Sequence, residues 1–377
     1  MCLADGSGSF IPPAAIVEFA RRCSWVERFM VEPTVAVQDA SAAGLATGDA
    51  GGVDVGIAVA TVAPVEIMPW GWNRTLRDRL LKEGVPAEQL PDDAQLDFIR
   101  ENSRRELAVE LHERLCAECT QCGFGVYAQR KSVCGESCPS VQKRIVVPPS
   151  YRIVAHNMEQ IEAFLQQRGR VVLKAPLSGS GKGVRFVSGE FMETDRGWCK
   201  RTLQRQGVVI VEQRMEIVKE FAMLFECGEE VKFRGYSLFY ATNGAYKGNL
   251  LASNEYIEKL LGEFIAVDEL RQVQEKIRLF LQEKLHGRYK GFVGVDQFVA
   301  EAAVGADSVG VAYQAGAADA EKDLSGRKYT WNPAMEINLR MTMGLIARNI
   351  YDFHAAEYGL GEGTHYFEPE RGVFICG

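Results

Sequence analysis

The sequence predicts a multi-lobed α/β (α+β) protein, and three observations carry that prediction. Short apolar runs rich in β-branched residues recur, as in Val171-Val172-Leu173, Val208-Val209-Ile210-Val211 and Phe292-Val293-Gly294-Val295, and each leads into or carries a charged side chain. Between and after them lie stretches with apolar residues at helical spacing, notably residues 256–286 and the run after Arg340. With 377 residues, 47% of them hydrophobic, the chain can bury more than one core, so two or three lobes are expected.

In the first third, Val65-Glu66-Ile67-Met68-Pro69-Trp70-Gly71-Trp72-Asn73 reads as a strand running into a loop. Arg74 to Glu83 reads as a helix stopped by Gly84-Val85-Pro86. Leu90-Pro91-Asp92-Asp93 opens a second helical run through Asn102-Ser103-Arg104-Arg105 to about Leu115. The Gly/Ala/Asp-rich residues 44–56 read as an insertion.

Five of the ten cysteines follow, at Cys116, Cys119, Cys122, Cys134 and Cys138, in the pattern C-x2-C-x2-C-x11-C-x3-C. Cys119, Cys122, Cys134 and Cys138 have spacing close to a zinc ribbon, in which four thiolates surround a tetrahedral Zn²⁺. A cysteine-rich insertion of reduced thiols without metal is the alternative. The spacing does not match a ferredoxin cluster.

Arg170 opens the stretch with the strongest chemical content. The strand Val171-Val172-Leu173 ends in Lys174, and after Ala175-Pro176-Leu177 comes Ser178, Gly179, Ser180, Gly181, Lys182, Gly183. A lysine at a strand end beside a loop rich in backbone N–H groups suits a phosphate cradle; a surface loop is the plainer reading. The P-loop pattern fails, because Gly181-Lys182 is followed by Gly183 and Pro176 stands where the first glycine belongs. The dinucleotide fingerprint fails as well, since Gly179, Gly181 and Gly183 are spaced by two throughout. Gly207 to Glu212 is a buried-type strand ending in an acid, and Lys219-Glu220-Phe221 begins another.

Gly291 to Val299 is a strand with the single acid Asp296, and its hairpin partner is expected to be Met335-Glu336-Ile337-Asn338-Leu339-Arg340, across an insertion at roughly residues 302–327. On a strand, Glu336, Asn338 and Arg340 project to one side. Asp296, Glu336 and Asn338 then supply three oxygen donors suited to Mg²⁺, with a fixed guanidinium beside them for phosphate. A solvated polar strand face would read the same way in isolation.

The ordered set of strand-lysine, glycine-rich loop, strand-glutamate, Glu-Phe strand, Val-Asp strand and Glu-x-Asn-x-Arg resembles the ATP-grasp superfamily, over about residues 140–350. Biotin carboxylase, carbamoyl phosphate synthetase and D-alanine–D-alanine ligase share this order. Trp70-Gly71-Trp72-Asn73, Leu90-Pro91-Asp92-Asp93 and Asn102-Ser103-Arg104-Arg105 further resemble a group of bacterial ATP-grasp proteins. The resemblance implies a Rossmann-like N-terminal domain (residues 1–115) and, after the cysteine-rich insertion (116–140), two α+β subdomains that clasp ATP, a lid (141–235) and a C-terminal part with the metal site (236–377). It implies that Lys174 and the loop from Ser178 to Gly183 contact the ATP phosphates, that Glu212 lies near the adenine, and that Glu220 holds the ribose hydroxyls. Asp296, Glu336 and Asn338 would bind one or two Mg²⁺, and Arg340 would stabilise the transferring phosphoryl group. Lys247 would add a phosphate contact, and Arg104 or Arg105 a further basic one. Two departures are visible: Met1-Cys2-Leu3-Ala4 begins where relatives have already completed a first strand, and residues 44–56 are added.

The implied activity is an ADP-forming carboxylate–amine ligase acting on a small-molecule carboxylate and a nucleophile, as a monomer or a homodimer. The alternatives are a catalytically silent ATP-binding regulator or scaffold, or a zinc-ribbon interaction module on an inactive core. The net charge of −7 supplies no electrostatic attraction for nucleic acid or an anionic membrane. No apolar run approaches the roughly 20 residues of a membrane span, and the start carries no basic secretory segment, so the expected location is the cytoplasm. The five histidines are scattered, without metal-ligand spacing.

Overall fold

The computed structural model describes residue 67 and residues 69–121, 146–178, 183–242, 245–301, 329–369 and 371–375. Its first part is helical. Asn73 caps α1 (Arg74–Lys82) by accepting from the Leu76 N–H, and Asp92 with Gln95 forms a capping box on α2 (Asp93–Asn102). The single helical run expected from Asp92 to Leu115 is in fact two helices, because α3 (Glu106–Gln121) starts after a break at Ser103-Arg104-Arg105. The cause is local: Asn102 Nδ2 and Ser103 Oγ donate back to the Phe98 and Ile99 carbonyls at 2.9 and 2.6 Å. Of the strand expected to run into a loop over residues 65–73, residues 65, 66 and 68 lie outside the described residues, and residues 69–73 belong to no helix or strand. Trp70 instead spends its carbonyl on the Met341 N–H at 2.8 Å.

A small antiparallel sheet follows, built from β1 (Arg152–Ala155), β2 (Arg170–Lys174), β3 (Val184–Ser188) and β4 (Val209–Gln213) in the order β1-β4-β2-β3. Helices α4 (Met158–Arg168) and α5 (Glu193–Gln206) cover one face, where Ile161, Phe164, Val171, Leu173, Val209 and Val211 form a separate core. Strand alternation sends Lys174 and Glu212 to the other face.

The large sheet has seven antiparallel strands in the order β11-β10-β7-β6-β5-β8-β9: β5 (Ile217–Cys227), β6 (Val231–Thr242), β7 (Ala245–Leu251), β8 (Gly291–Glu301), β9 (Tyr329–Asn338), β10 (His365–Glu368) and β11 (Gly372–Ile375). Period-2 alternation divides its faces. Phe221, Met223 and Phe225 pack with Ile277, Phe280 and Leu281 of α7 (Val267–Leu285) and with Ile257 and Leu261 of α6 (Asn254–Leu261). Ala222 and Leu224 pack with Met341, Leu345 and Ile346 at the start of α8 (Met343–Tyr358). Leu279, expected in the packing face, points outward from α7 and is exposed. The start of α8 lies so close to the sheet that a Cβ on Gly344 would stand 2.4 Å from Ser237 Oγ.

The observed division between the sheets falls between Gln213 and Ile217, whereas the expected boundary at 235/236 would cut β6. The Glu-Phe strand β5 pairs with β6 and β8 and so belongs to the large sheet. Helix α3 likewise runs through the expected boundary at 115/116. Among the described residues, no helix is long and apolar enough to cross a membrane.

His112 on α3 is fully buried, with Nε2 donating to the Val147 carbonyl at 2.8 Å and the ring edge-on to Tyr151. Burial, reinforced by the Arg152 charge, pushes its pKa down from 6.5 to about 3. The folded protein therefore refuses a proton that the unfolded chain accepts, so stability is full above pH 6.5 and falls as the pH drops from there towards about 3. The loss is on the order of 3–5 kcal/mol. In urea unfolding measured between pH 7 and pH 4, His112→Gln is expected to flatten this slope, whatever it does to stability at pH 7.

Candidate functional site

The register of three strands assembles one side of the site. Asp296 on β8 is paired with Ala222 of β5 and with Glu336 of β9, and Gly294 is paired with Asn338. Paired residues on neighbouring antiparallel strands project to the same face, so Asp296, Glu336 and Asn338 share one, and Glu220, two positions from Ala222, joins them. Asn338 Nδ2 donates to Asp296 Oδ2 at 2.9 Å, while its Oδ1 accepts from Arg340 Nη2 at 2.8 Å. Strand β9 ends at Asn338, yet the Arg340 side chain folds back onto it and also donates to the Met341 carbonyl at 3.2 Å. Burial, with the neighbouring Glu336 charge, pushes the Asp296 carboxyl up to about 7 against the opposing pull of Arg340 and Asn338. Burial also raises Glu220, with Lys174 acting in the opposite direction.

The small sheet supplies the other side. Val172 is paired with Glu212 and Lys174 with Ile210, which places the Lys174 and Glu212 side chains diagonally on one face. They form an ion pair at 2.7 Å, and both residues are buried. Arg152, directly across from Glu212 on β1, adds a second cation at 3.7 Å. Burial alone would raise the Glu212 carboxyl, but Lys174 and Arg152 outweigh it and hold it below its usual range. Arg152 also donates to the Ala334 carbonyl of β9 at 3.2 Å and to the Ala108 carbonyl of α3 at 2.7 Å, which ties the small sheet to the large one.

Between the two sides sits Arg105, at the break that opens α3. Its backbone N–H donates to the Pro176 carbonyl at 3.0 Å, and Nη1 donates to the Ala175 carbonyl at 2.6 Å and to Ser178 Oγ at 2.7 Å. Nη2 reaches both carboxylate oxygens of Glu336, at 3.1 and 3.2 Å. Arg104 turns away to Glu106 and the Gln206 carbonyl. Gln206 in turn accepts from the Leu177 N–H at 2.7 Å and donates to the Leu177 carbonyl at 3.2 Å, fixing the start of the loop after β2. The base of that loop closes through Ala175 N to the Gly183 carbonyl at 2.8 Å, and a Cβ on Gly183 would stand 2.2 Å from the Ser178 Cβ. Only glycine leaves that space.

The expected site residues thus divide. Lys174 and Glu212 pair on one face of the small sheet, Glu220, Asp296, Glu336 and Asn338 share one face of the large sheet with Arg340 bonded to Asn338, and Arg105 joins Ser178, near Gly183, to Glu336. Gly179, Ser180, Gly181 and Lys182 lie outside the described residues. Lys247 is exposed and occupies a bulge, where the β6–β7 register passes from Gly248 to Tyr246 without it. Cys122, Cys134 and Cys138 lie outside the described residues, and Cys119 enters only as backbone of α3. Of the two arginines proposed for the helix, the structure brings Arg105 to the cleft. Arg152 and Gln206 were not anticipated: Arg152 opens the short strand β1 and Gln206 ends the polar helix α5, and nothing in the surroundings of either in the sequence marks it.

No family model and no curated protein matches the sequence. Solved structures do show partial likeness. Biotin carboxylase from Campylobacter jejuni, bound to an ATP analogue, is 12% identical with a TM-score of 0.41, covering 81% of this chain and 56% of that one. N5-carboxyaminoimidazole synthetase from Staphylococcus aureus, complexed with ADP, is 15% identical with a TM-score of 0.33, covering 57% and 43%. D-alanyl-alanine synthetase A from Vibrio cholerae is 12% identical with a TM-score of 0.34, covering 58% and 57%. The chain spans about half the length of the structures it matches. At such scores the chemistry of the cleft is decided by its own side chains.

Breaking a buried ion pair at one partner leaves an uncompensated charge and costs about 3–5 kcal/mol. Glu212→Gln strands Lys174 and Arg152 together and is expected to lower stability by that amount. A urea midpoint within experimental error of the parent protein would show that the pair is dispensable.

Proposed function

We propose that the cleft binds ATP with Mg²⁺ and supports an ADP-forming ligase reaction in which a small-molecule carboxylate is activated as an acyl phosphate for attack by an amine or related nucleophile. The observation that carries this reading is that Asp296, Glu336 and Asn338 share one sheet face with Arg340 bonded to Asn338, while Lys174 ends the strand ahead of the Ser178–Gly183 loop. Phosphoryl transfer asks the protein chiefly to position groups and neutralise charge, and no protein nucleophile is needed.

The donor set fits a hard divalent cation. Among the described residues, no three or more His, Cys, Asp or Glu side chains gather as a metal cluster. The donors here are the Asp296 and Glu336 carboxylates and the Asn338 amide oxygen, and Mg²⁺ commonly takes one or two carboxylates and completes its shell with water and phosphate. The upward shift of Asp296 beside Glu336 marks a crowded negative site that a cation would relieve. Asp296, Glu336 and Asn338 would hold the cation, whose charge would offset that of the phosphates.

The chain's own groups divide the remaining work. Lys174, held by Glu212, presents a buried ammonium towards the phosphate side. Arg340, steadied by Asn338, offers a guanidinium where the transferring phosphoryl group and the incoming carboxylate would meet. Glu220, partly accessible on the same face, would accept hydrogen bonds from ribose hydroxyls.

Asn338→Ala and Glu336→Gln are expected to reduce Mg²⁺-dependent ADP release in a pool of carboxylates and amines by about 100-fold or more, the scale of losing one preorganised electrostatic group. Circular dichroism should stay that of the parent. Undiminished release in both variants would remove the site assignment, and nucleotide binding without ADP release by the parent under a broad substrate pool would favour a silent ATP-binding protein.

A further inference from the structure

Arg105 grips its two neighbours unequally. Towards the small sheet, Nη1 makes short bonds to the Ala175 carbonyl at 2.6 Å and to Ser178 Oγ at 2.7 Å, backed by the main-chain bond to Pro176 at 3.0 Å. Towards the large sheet, one nitrogen is shared between both oxygens of Glu336 at 3.1 and 3.2 Å, at the long end of a charge-assisted bond. The Arg105 side chain is only 7% exposed, and its Nε is buried without a partner. The arm to Ala175 and Ser178 is the anchor. The arm to Glu336 is the one that can be exchanged.

We infer that Arg105 holds the cation position on Glu336 while no nucleotide is bound, and surrenders it only when a divalent cation and a polyphosphate arrive together. The inference rests on the reading of Glu336 as a metal ligand. Both Glu336 oxygens face Arg105 Nη2, so a cation that takes the carboxylate through these same lone pairs has to displace it. A displaced Arg105, still anchored at Ala175 and Ser178, stays within a few ångströms of the incoming cation. Their repulsion in a partly desolvated cleft opposes the exchange. A polyphosphate removes the opposition, because its oxygens accept from the freed Nη2 and Nε donors while also binding the cation. Cation binding without nucleotide is thereby held back, and the two ligands are coupled through one side chain. Arg105 acts as a positioning residue that keeps the metal carboxylate oriented and filled until the phosphates come.

The test is Mn²⁺ binding, followed by electron paramagnetic resonance with and without saturating ADP, on the full-length protein and on Arg105→Gln and Arg105→Lys. In the nucleotide-free state Arg105→Gln is expected to bind Mn²⁺ about tenfold more tightly than the parent, and the gain in Mn²⁺ affinity produced by ADP should shrink by the same factor. Arg105→Lys keeps the charge but loses the fork, and should give a smaller rise in the same direction. It supplies the reading if the glutamine variant does not fold. Adding Glu336→Gln to either variant should abolish the increase. Nucleotide-free Mn²⁺ affinity that is unchanged or weaker in the folded variants overturns the inference while leaving the ATP site standing. Failure of the parent to bind Mn²⁺ even with ADP overturns the site reading itself, and the inference with it.

Discussion

The structure depends on how one buried carboxylate is neutralised. Glu212 sits on the inner face of the small sheet, where burial alone would drive it towards protonation. Lys174 and Arg152 reverse that, and Arg152 carries the connection onward to the carbonyls of Ala334 on β9 and Ala108 on α3. A buried pair of this kind is weak evidence for stability in itself, because desolvation consumes most of the Coulomb gain. Its value lies in direction. An unpaired charge at this depth would be so costly that the small sheet has few other ways to sit on β9 and α3, and the orientation of the cleft follows.

Across the cleft the problem has the opposite sign. Glu220, Asp296 and Glu336 share one face, and Asp296 is pushed up to about 7 by burial and by Glu336. The folded chain tolerates this crowding through partial measures: the Asn338 amide spans Asp296 and Arg340, and Arg105 covers Glu336. Each is a hydrogen-bonded compromise that, under the proposed function, a bound cation and its phosphates would replace. Sites that bind highly charged ligands are often left this way, since a fully satisfied site would have little to gain from binding. Behind them the small residues Ala222, Ser237 and Gly344 let α8 pack closely against β5 and β6.

Much of this is legible in the sequence. The alternation in Glu336-Ile337-Asn338 needs only a strand to put two polar side chains on one face, whereas Arg340 lies beyond the strand end and joins them by folding back onto Asn338. Lys174 and Glu212 could be read as strand-end charges, though not as partners of each other. The expected helix through Ser103 failed because Asn102 and Ser103 recapture their own carbonyls, a competition that helical periodicity does not register. Arg104 and Arg105 are equivalent in sequence; which one enters the cleft is settled by that break, which turns Arg105 inward and Arg104 towards Glu106 and Gln206.

By itself, then, the sequence determined the chemistry on offer: an apolar framework in two periodicities, acids and amides at alternate strand positions, and a lysine ahead of a glycine-rich loop. These are local properties, set by residue type and a spacing of two or of three to four. The tertiary structure decided the partnerships: Lys174 with Glu212, Arg152 as the tie between sheets, Gln206 on Leu177, and Arg105 on Glu336 across 231 positions of chain. Such contacts depend on strand order and on how two separate cores dock. Buried charges must find counter-charges wherever the docking places them, and no short window of sequence records that outcome.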